Sequence, residues 1–508
     1  MKLVSRFSLI LVSVLIVSGC SSFQHRDQMA SFNAAYGLGN YDSALETVTF
    51  ETSDSRPVNP EERLLELLHQ GEIYRLQGRN EQSVQSYDLA EAGMKYLDTG
   101  SLVQEAGEGF MALMVNDSQR NYRALMSEAV LVNTYKGLAF LAAGNSDYAR
   151  IEFNRANDRT RRAVDYFSAE IAAQQAALAG EAAKGGKNRA SMVQKSLRSD
   201  ELQETVSRNY TSSWSVFPEF IVPVSSYLHG LYFLANALDG SDLERTATSL
   251  KRVAEMQSDS AVLAADAELA VALASGDLSR ADLAPQVWVI YENGLGPVLE
   301  ESRIDVPLFL FTDGRGPLYF SIALPSYAPR PAVPGNLLVL GDKGTAVETE
   351  RISDMGTVIN TEVKERLSGV IARAVTSATI KAVIQNEAAE QFGALGQIGA
   401  AIFSIATTQA DLRGWQALPN HWQAVRMDRP DSGTLTLAQS SGSVSGTIQV
   451  PDQPFTLVYV KRPTVLAPAT VITMDLQGRR PASLTQIPRS TGPAAASAPL
   501  HHQKENEP

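Results

Sequence analysis

Cysteine and histidine are scarce in this sequence, and that scarcity limits the chemistry the protein can perform. The 508 residues include one cysteine and six histidines. A single cysteine excludes both a disulfide within the chain and a cysteine-rich zinc site. No two histidines have the spacing of an H-E-x-x-H motif or of another recognisable ligand set. We therefore expect no metal, no cofactor and no catalytic residues, and we predict that the protein is not an enzyme.

Positive charge is also in deficit. The chain has 44 lysines and arginines against 56 aspartates and glutamates, which gives a formal net charge of −12. Such a chain has no general positive field, so nucleic acid is not an expected partner. The hydrophobic fraction of 44% is nevertheless high enough for two or three domains with their own cores.

The N-terminus has the layout of a bacterial lipoprotein signal. Lys2 and Arg6 precede an apolar run over 7–17, which is too short to span a bilayer. The run ends in Val-Ser-Gly-Cys, which resembles a lipobox, so we predict a signal peptide over 1–19, lipidation of Cys20 and a linker over 20–28. Because Ser21 is not aspartate, resemblance to the sorting rule of enteric bacteria favours the outer membrane, with the protein facing the periplasm.

Two windows of the following region repeat each other at a distance of 66 residues, about two units of a 33- to 34-residue period. Both windows resemble tetratricopeptide repeats, in which one small residue lets two helices approach and another marks the turn. We therefore predict a helical repeat domain over 29–276. The matching positions are Leu67, Gly71, Tyr74, Gly78, Ser83, Tyr87 and Ala90 in the first window, and Asn133, Gly137, Phe140, Gly144, Ala149, Phe153 and Ala156 in the second.

Stacked helical hairpins usually leave a concave inner face free for peptides or partner proteins. We expect a protein or peptide partner there. Tyr74, Tyr87, Phe140 and Phe153 are the candidate contact residues, although rings at these repeat positions are also typical of the core.

The second half of the chain changes period. Extended apolar segments over 286–291, 318–324, 336–340, 422–427, 434–438, 446–450 and 455–461 predict strands. Apolar steps of three and four residues predict a long helix over 359–410, within a mixed α/β domain over 277–465. Its charge-free part, 392–410, suits either a buried helix or a membrane-inserting segment. The Pro- and Ala-rich remainder, 466–508, predicts a largely disordered tail.

Four strings resemble a family of uncharacterised, mostly proteobacterial lipoproteins with tetratricopeptide-like helices and a C-terminal α/β region. The resemblance spans 31–463 and implies no activity. Within the last string, Asp411, Arg413 and Trp415 are candidates either for a structural ion pair at an element junction or for a recognition surface. The strings begin at Pro223, Tyr291, Ala323 and Ala410.

The predicted fold class is α+β, with an N-terminal all-α tetratricopeptide-like helical repeat array followed by a smaller mixed α/β domain. The predicted function is an outer-membrane-anchored lipoprotein that acts as a protein–protein interaction scaffold in envelope assembly or maintenance. Two alternatives stay open. One is an envelope enzyme acting on peptidoglycan or polysaccharide, and the other is a membrane-active export component that uses 392–410.

Overall fold

Helices fill the first half of the described chain. The computed structural model describes residues 27–50, 57–99, 121–184, 186–308, 318–406 and 413–490, so Cys20 lies outside the described residues. The helices are α1 (27–37), α2 (Tyr41–Val48), α3 (Leu64–Leu76), α4 (Asn80–Gly93), α5 (Tyr96–Thr99), α6 (Met126–Ala142), α7 (Ser146–Lys184), α8 (Gly186–Leu197), α9 (Asp200–Val206), α10 (Pro223–Asn236), α11 (Gly240–Met256) and α12 (Ala261–Ser275).

Strands dominate the second half, interrupted by one long helix, α13 (Met355–Ala406). The protein is therefore α+β, as predicted, with the helical array first. The strands are β1 (Gln286–Asn293), β2 (Val298–Leu308), β3 (Leu318–Ala328), β4 (Leu337–Leu340), β5 (Ala346–Glu348), β6 (Glu350–Asp354), β7 (His421–Asp428), β8 (Thr434–Gln439), β9 (Ser445–Gln449), β10 (Phe455–Arg462), β11 (Ala469–Asp475) and β12 (Ser483–Ile487).

Glycines bring the two helices of each hairpin together. Gly71 in α3 faces Tyr87 in α4, and a Cβ on this glycine would lie 2.5 Å from the tyrosine ring. The same relation holds between Gly137 in α6 and Phe153 in α7, where the distance is 2.9 Å. The glycine positions read from the sequence are therefore equivalent in the fold. In a third hairpin, α10–α11, the glycine faces a leucine instead, and a Cβ on Gly230 would lie 2.7 Å from Leu250.

Two turn glycines lie where the helical array contacts the C-terminal strands. Gly78 and Gly144 have positive φ angles of 70° and 77°, in the left-handed region that favours glycine. An added Cβ at Gly144 would lie 3.1 Å from the backbone of Arg480, and one at Gly78 would lie 3.8 Å from Leu484. The two turns thus rest on the β11–β12 hairpin.

That contact corrects the predicted tail. A largely disordered segment from 466 onwards is wrong for β11 and β12, because β11 is buried along its whole length and pairs with both β10 and β12. The misleading signal was the Pro- and Ala-rich composition of the whole segment, which hid two short strands. Residues 491–508 lie outside the described residues.

Three sheets share these strands. The largest has the order β12-β11-β10-β1-β7-β6, and all its neighbours are antiparallel except β1 and β10. A second sheet has the order β5-β4-β8-β9, and β2 pairs with β3 as a separate ribbon. The ribbon packs against α9 and the middle of α13, where Ile304, Ile322 and Ile371 share one core.

The large sheet lies between two layers, which explains the continuous apolar run of β1. Trp288 and Ile290 face the helices, whereas Val287 and Val289 face the four-stranded sheet. One hydrophobic cluster runs from the helical array into the large sheet without a break. The inner face of the array is therefore covered by the protein's own sheet.

The long helix is confirmed over most of its predicted length. Its backbone is helical from Met355 to Ala406. The side chains of the 392–410 stretch, on which the alternatives of burial and membrane insertion depend, lie outside the described residues. None of the helices in the described ranges combines the length and the apolar character that a membrane crossing requires.

Replacing Gly71 by alanine should destabilise the protein, whereas the same change at Gly180 in α7 should not. A Cβ at Gly180 would meet no described atom within 4 Å. We expect overpacking against Tyr87 to lower the free energy of unfolding of Gly71→Ala by about 1–3 kcal/mol. Gly180→Ala should raise it by up to about 1 kcal/mol, because alanine favours helix. Chemical denaturation of the two full-length variants measures this, and equal effects would contradict the close approach of α3 and α4.

Candidate functional site

The aromatic candidates on the repeats divide into two groups. Tyr87 and Phe153 are 0% and 1% exposed and belong to the core, so their assignment as partner contacts is wrong. The reason is the hairpin design, because each ring fills the space above a glycine of the facing helix. Tyr74 and Phe140 are half-buried. The Tyr74 ring lies 4.5 Å below the guanidinium of Arg79, and Phe140 stacks on a neighbouring tyrosine.

A cluster of four buried charges joins the array to the sheet. Glu72 and Arg75 come from α3, Glu292 from β1 and Lys461 from β10, and each is at most 2% exposed. Arg75 Nε donates to Glu72 at 2.8 Å, and Lys461 Nζ lies 2.9 Å from Glu292. The two positive and two negative groups balance, which is the condition under which buried charges are tolerated.

Hydroxyl and indole donors complete this buried charge cluster. The Glu292 carboxylate accepts hydrogen bonds from Tyr135 and Tyr459, both at 2.7 Å, and from the indole of Trp422 at 3.1 Å. Burial raises the pKa of Glu292, but Lys461, Arg75 and the phenol hydrogen bonds outweigh it, and the pKa falls to about 2. The carboxylate is therefore ionised at neutral pH and is held from three sides.

The segment at 413–418 packs against this cluster. Trp415 is buried and meets the rings of Tyr87 and Tyr135 edge-on, at centroid distances of 5.9 and 5.8 Å. The Gln416 backbone N–H donates to His69 Nε2 at 3.1 Å. Since that nitrogen accepts, Nδ1 of His69 carries the proton and donates to the Leu65 carbonyl at 2.7 Å. Trp415 thus packs at a junction between elements, which agrees with the structural role that was one of the two roles predicted for it.

Next to Trp415, a cleft of about 240 Å³ opens between α6, the β2–β3 ribbon and α13. Arg413 lines it, so the structure brings two of the three candidates of the last string to one site, while Asp411 lies outside the described residues. Arg123 and Arg366 line it as well. The apolar wall includes Leu125, Leu299, Ile359, Val363, Val370 and Leu418.

One carboxylate lines the cleft at the start of α6. Glu128 is buried and accepts hydrogen bonds from the Tyr122 hydroxyl at 2.7 Å and from the backbone N–H groups of Leu125 at 2.8 Å and Trp415 at 3.2 Å. Burial is the largest influence and raises the pKa of Glu128 to about 7. Its protonation state is therefore evenly balanced near neutral pH, whereas an exposed glutamate would be fully ionised.

A second carboxylate reaches the same helix end from α13. Glu362 accepts from the backbone N–H groups of Met126 and Ser127, at 2.7 and 2.9 Å. These groups belong to the first turn of α6, which has no acceptor of its own within the helix and attracts negative charge. Arg366, one turn further along α13, donates to Glu170 of α7 at 2.6 Å. Together these bonds fix the cleft walls to one another.

The arrangement is suited to binding. Its apolar wall can bury hydrophobic groups, and three arginines line it, of which Arg366 is already bonded to Glu170. The indole N–H of Trp415 is buried and has no hydrogen-bond partner among the described residues. The described residues also contain no group of three or more His, Cys, Asp or Glu side chains that could hold a metal ion.

Sequence reasoning missed Glu128, Glu292 and Glu362. Glu292 belongs to the string that begins at Tyr291. That string was used for the family resemblance, and the charge of Glu292 was not considered. A useful signal was available, because a carboxylate at the end of an otherwise apolar strand needs a buried partner. Glu128 and Glu362 carry no such signal, since most of their partners are backbone N–H groups, which leave no mark in the sequence. Comparison with known proteins finds no family model, no curated protein and no solved structure that matches this chain.

Raising the pH from 5 to 8 should destabilise the wild-type protein more than Glu128→Gln. The pKa of Glu128 is raised to about 7 in the folded state, and that of an unfolded glutamate is about 4.3. Protonation of Glu128 therefore stabilises the folded state. This contribution to the free energy of unfolding is complete below pH ~4.3 and is lost as the pH rises through 7.

Urea denaturation at the two pH values measures the effect. The free energy of unfolding of wild type minus that of Glu128→Gln should fall by about 2 kcal/mol between pH 5 and pH 8. A difference that does not change with pH would show that Glu128 keeps the pKa of an ordinary glutamate.

Proposed function

We propose that this chain is an outer-membrane lipoprotein, facing the periplasm, that acts as a protein–protein interaction scaffold in envelope assembly or maintenance. The charged start, the apolar run and the lipobox-like end at Cys20 support the anchored location. Several acyl chains on this cysteine would hold the protein firmly, because each buried methylene contributes about 0.8 kcal/mol. The resemblance to proteobacterial lipoproteins agrees with this location.

The observation that carries the scaffold proposal is the cleft beside Trp415. The inner face of the repeats was the expected partner surface, but the large sheet covers it. The cleft is a concave surface that the sheet leaves accessible, and five separate segments of the described chain line it. Such junctions between elements are common places for ligand and peptide sites.

The chemistry of the cleft defines the class of partner. The apolar wall formed by residues such as Leu299 and Val370 favours hydrophobic side chains, and Arg123 and Arg413 favour a carboxylate. We therefore propose a partner segment that carries both, such as an apolar side chain next to an aspartate or glutamate. A partly open cleft of about 240 Å³ takes one or two side chains rather than a folded domain.

One observation favours the enzyme alternative. Glu128 has a raised pKa and lines a cleft, a combination found in general acids. Its carboxylate is already engaged by Tyr122 and by the backbone N–H groups of Leu125 and Trp415. Those hydrogen bonds explain the buried carboxylate by a structural role at the start of α6. We therefore rank binding above catalysis.

Photo-crosslinking in cells tests the proposal. A photo-reactive amino acid at Leu299, on the cleft wall, should give a defined adduct with an envelope protein. The same amino acid at Glu244, an exposed position on α11, should not. Arg413→Ala, introduced together with the probe at Leu299, should weaken partner affinity by about tenfold, since one charge-assisted hydrogen bond is lost.

Cys20→Ala is the control for anchoring. That chain should leave the membrane fraction and lose the adduct if the partner is a membrane protein. Adducts of equal yield from Leu299 and Glu244, or no adduct from either position, would contradict the scaffold proposal. Loss of a hydrolytic activity on peptidoglycan in Glu128→Gln, with folding intact, would establish the enzyme alternative instead.

A further inference from the structure

One edge of the large sheet is open while the other is covered. β6, at one edge, meets α12, and Glu350 in this strand accepts hydrogen bonds from Ser260 at 2.8 Å and from the Val262 N–H at 3.2 Å. β12, at the opposite edge, pairs within the sheet only with β11 in the described ranges, and just beyond the strand the backbone of Arg489 forms an isolated bridge with Val444. An edge strand offers unpaired N–H and C=O groups to another extended chain.

β12 lacks the usual protection against such pairing. Its sequence, Ser-Leu-Thr-Gln-Ile, has no charged residue and no proline, and four of its five residues are exposed. Leu484 is 42% exposed, close to the turn between α3 and α4. Natural edge strands are commonly blocked by lysine, proline or a bulge. Here Pro481 and Pro488 stand just outside the strand and only limit its length.

Exposed arginines surround this edge. Arg479 and Arg480 precede β12, and Arg489 follows it. Arg79 lies beside Gly78, whose backbone approaches Leu484. The carboxylate of this hairpin, Asp475, is buried and accepts from the backbone N–H of Arg479 at 3.1 Å. A basic patch therefore frames the strand in a protein whose net charge is −12.

We propose that β12 is a docking edge for an extended acidic segment of a partner protein, which adds to the large sheet as a further strand. Backbone hydrogen bonds to β12 would supply affinity, as in other cases of strand addition. Arg480 and Arg489, at the two ends of the strand, would select carboxylates. This surface is built from residues different from those of the cleft, so it does not depend on the function proposed there.

A peptide-binding assay on the full lipidated chain in detergent tests this. The probe is a fluorescent eight-residue peptide that alternates glutamate and valine, and binding is followed by anisotropy. Methylating alternate backbone nitrogens on its pairing side should weaken binding about tenfold or more, because backbone hydrogen bonds are lost. A peptide with lysine in place of glutamate should also bind at least about tenfold more weakly.

Chain variants separate the docking edge from general charge attraction. The double variant Arg480→Glu with Arg489→Glu should weaken binding of the acidic peptide by about tenfold or more. Arg208→Glu, at a side chain that is 73% exposed and away from β12, is the matched control and should leave affinity unchanged. Circular dichroism confirms that each variant is folded.

Three results would overturn the proposal. The methylated peptide could bind as well as the parent, which would show that binding comes from charge attraction and not from backbone hydrogen bonds. The acidic peptide could bind only after residues 491–508 are deleted, which would make the chain's own C-terminal segment the occupant. The protein could also form dimers that Arg480→Glu with Arg489→Glu disrupts, which would make a second copy the occupant.

Discussion

Four charges buried between a helix and a sheet hold this structure in its particular arrangement. Glu72 and Arg75 come from the helical array, and Glu292 and Lys461 come from the two central parallel strands. Burying charges is expensive, and removal of one partner from such a set typically costs about 3–5 kcal/mol. Close packing of the array on the sheet restricts their relative position, and the charge pairs add a directional requirement that is met in one register. The cluster therefore specifies how the two halves dock.

This docking limits the surfaces on which the proposed partner could bind. In an open repeat array the inner helices would present their faces to a ligand. Here α3, α6 and α10 are buried on nearly every side, because β1, β10 and β11 pack against them. Among the described residues, the cleft at 413–418 and the edge at β12 stay accessible, and these are the two surfaces we propose for partners.

Much of the helical half was predictable, because the close approach of two helices requires glycine at fixed positions and this spacing is visible in the sequence. Gly71 and Gly137 stand at matching positions because each lies under an aromatic ring of the next helix. The seven strand segments were likewise visible as short apolar runs with turn residues at their ends. β12 was hidden, since its exposed residues have no apolar alternation and its flanks are rich in arginine and proline. β2 was missed for a similar reason, because Glu300, Glu301 and Asp305 interrupt its apolar pattern.

The candidate site was predictable only in part. Arg413 and Trp415 were singled out, and both lie at the cleft. The partners of Trp415, which are Glu128, Tyr87 and Tyr135, are distant in sequence, and pairing over such distances leaves no local pattern. Tyr87 and Phe153 show the opposite error, because they were named as contact candidates although rings at these repeat positions are typical of the core, where the structure places both.

The claim that array and sheet form one body through the buried charge cluster is tested most directly by hydrogen exchange of the full chain in increasing urea. Amides of α3 and β10 should become exchangeable at the same urea concentration. Lys461→Met should lower that concentration for both, by an amount equivalent to about 3 kcal/mol. If β10 opened while α3 stayed protected, or if Lys461→Met affected β10 alone, the two halves would be independent and the account would be wrong.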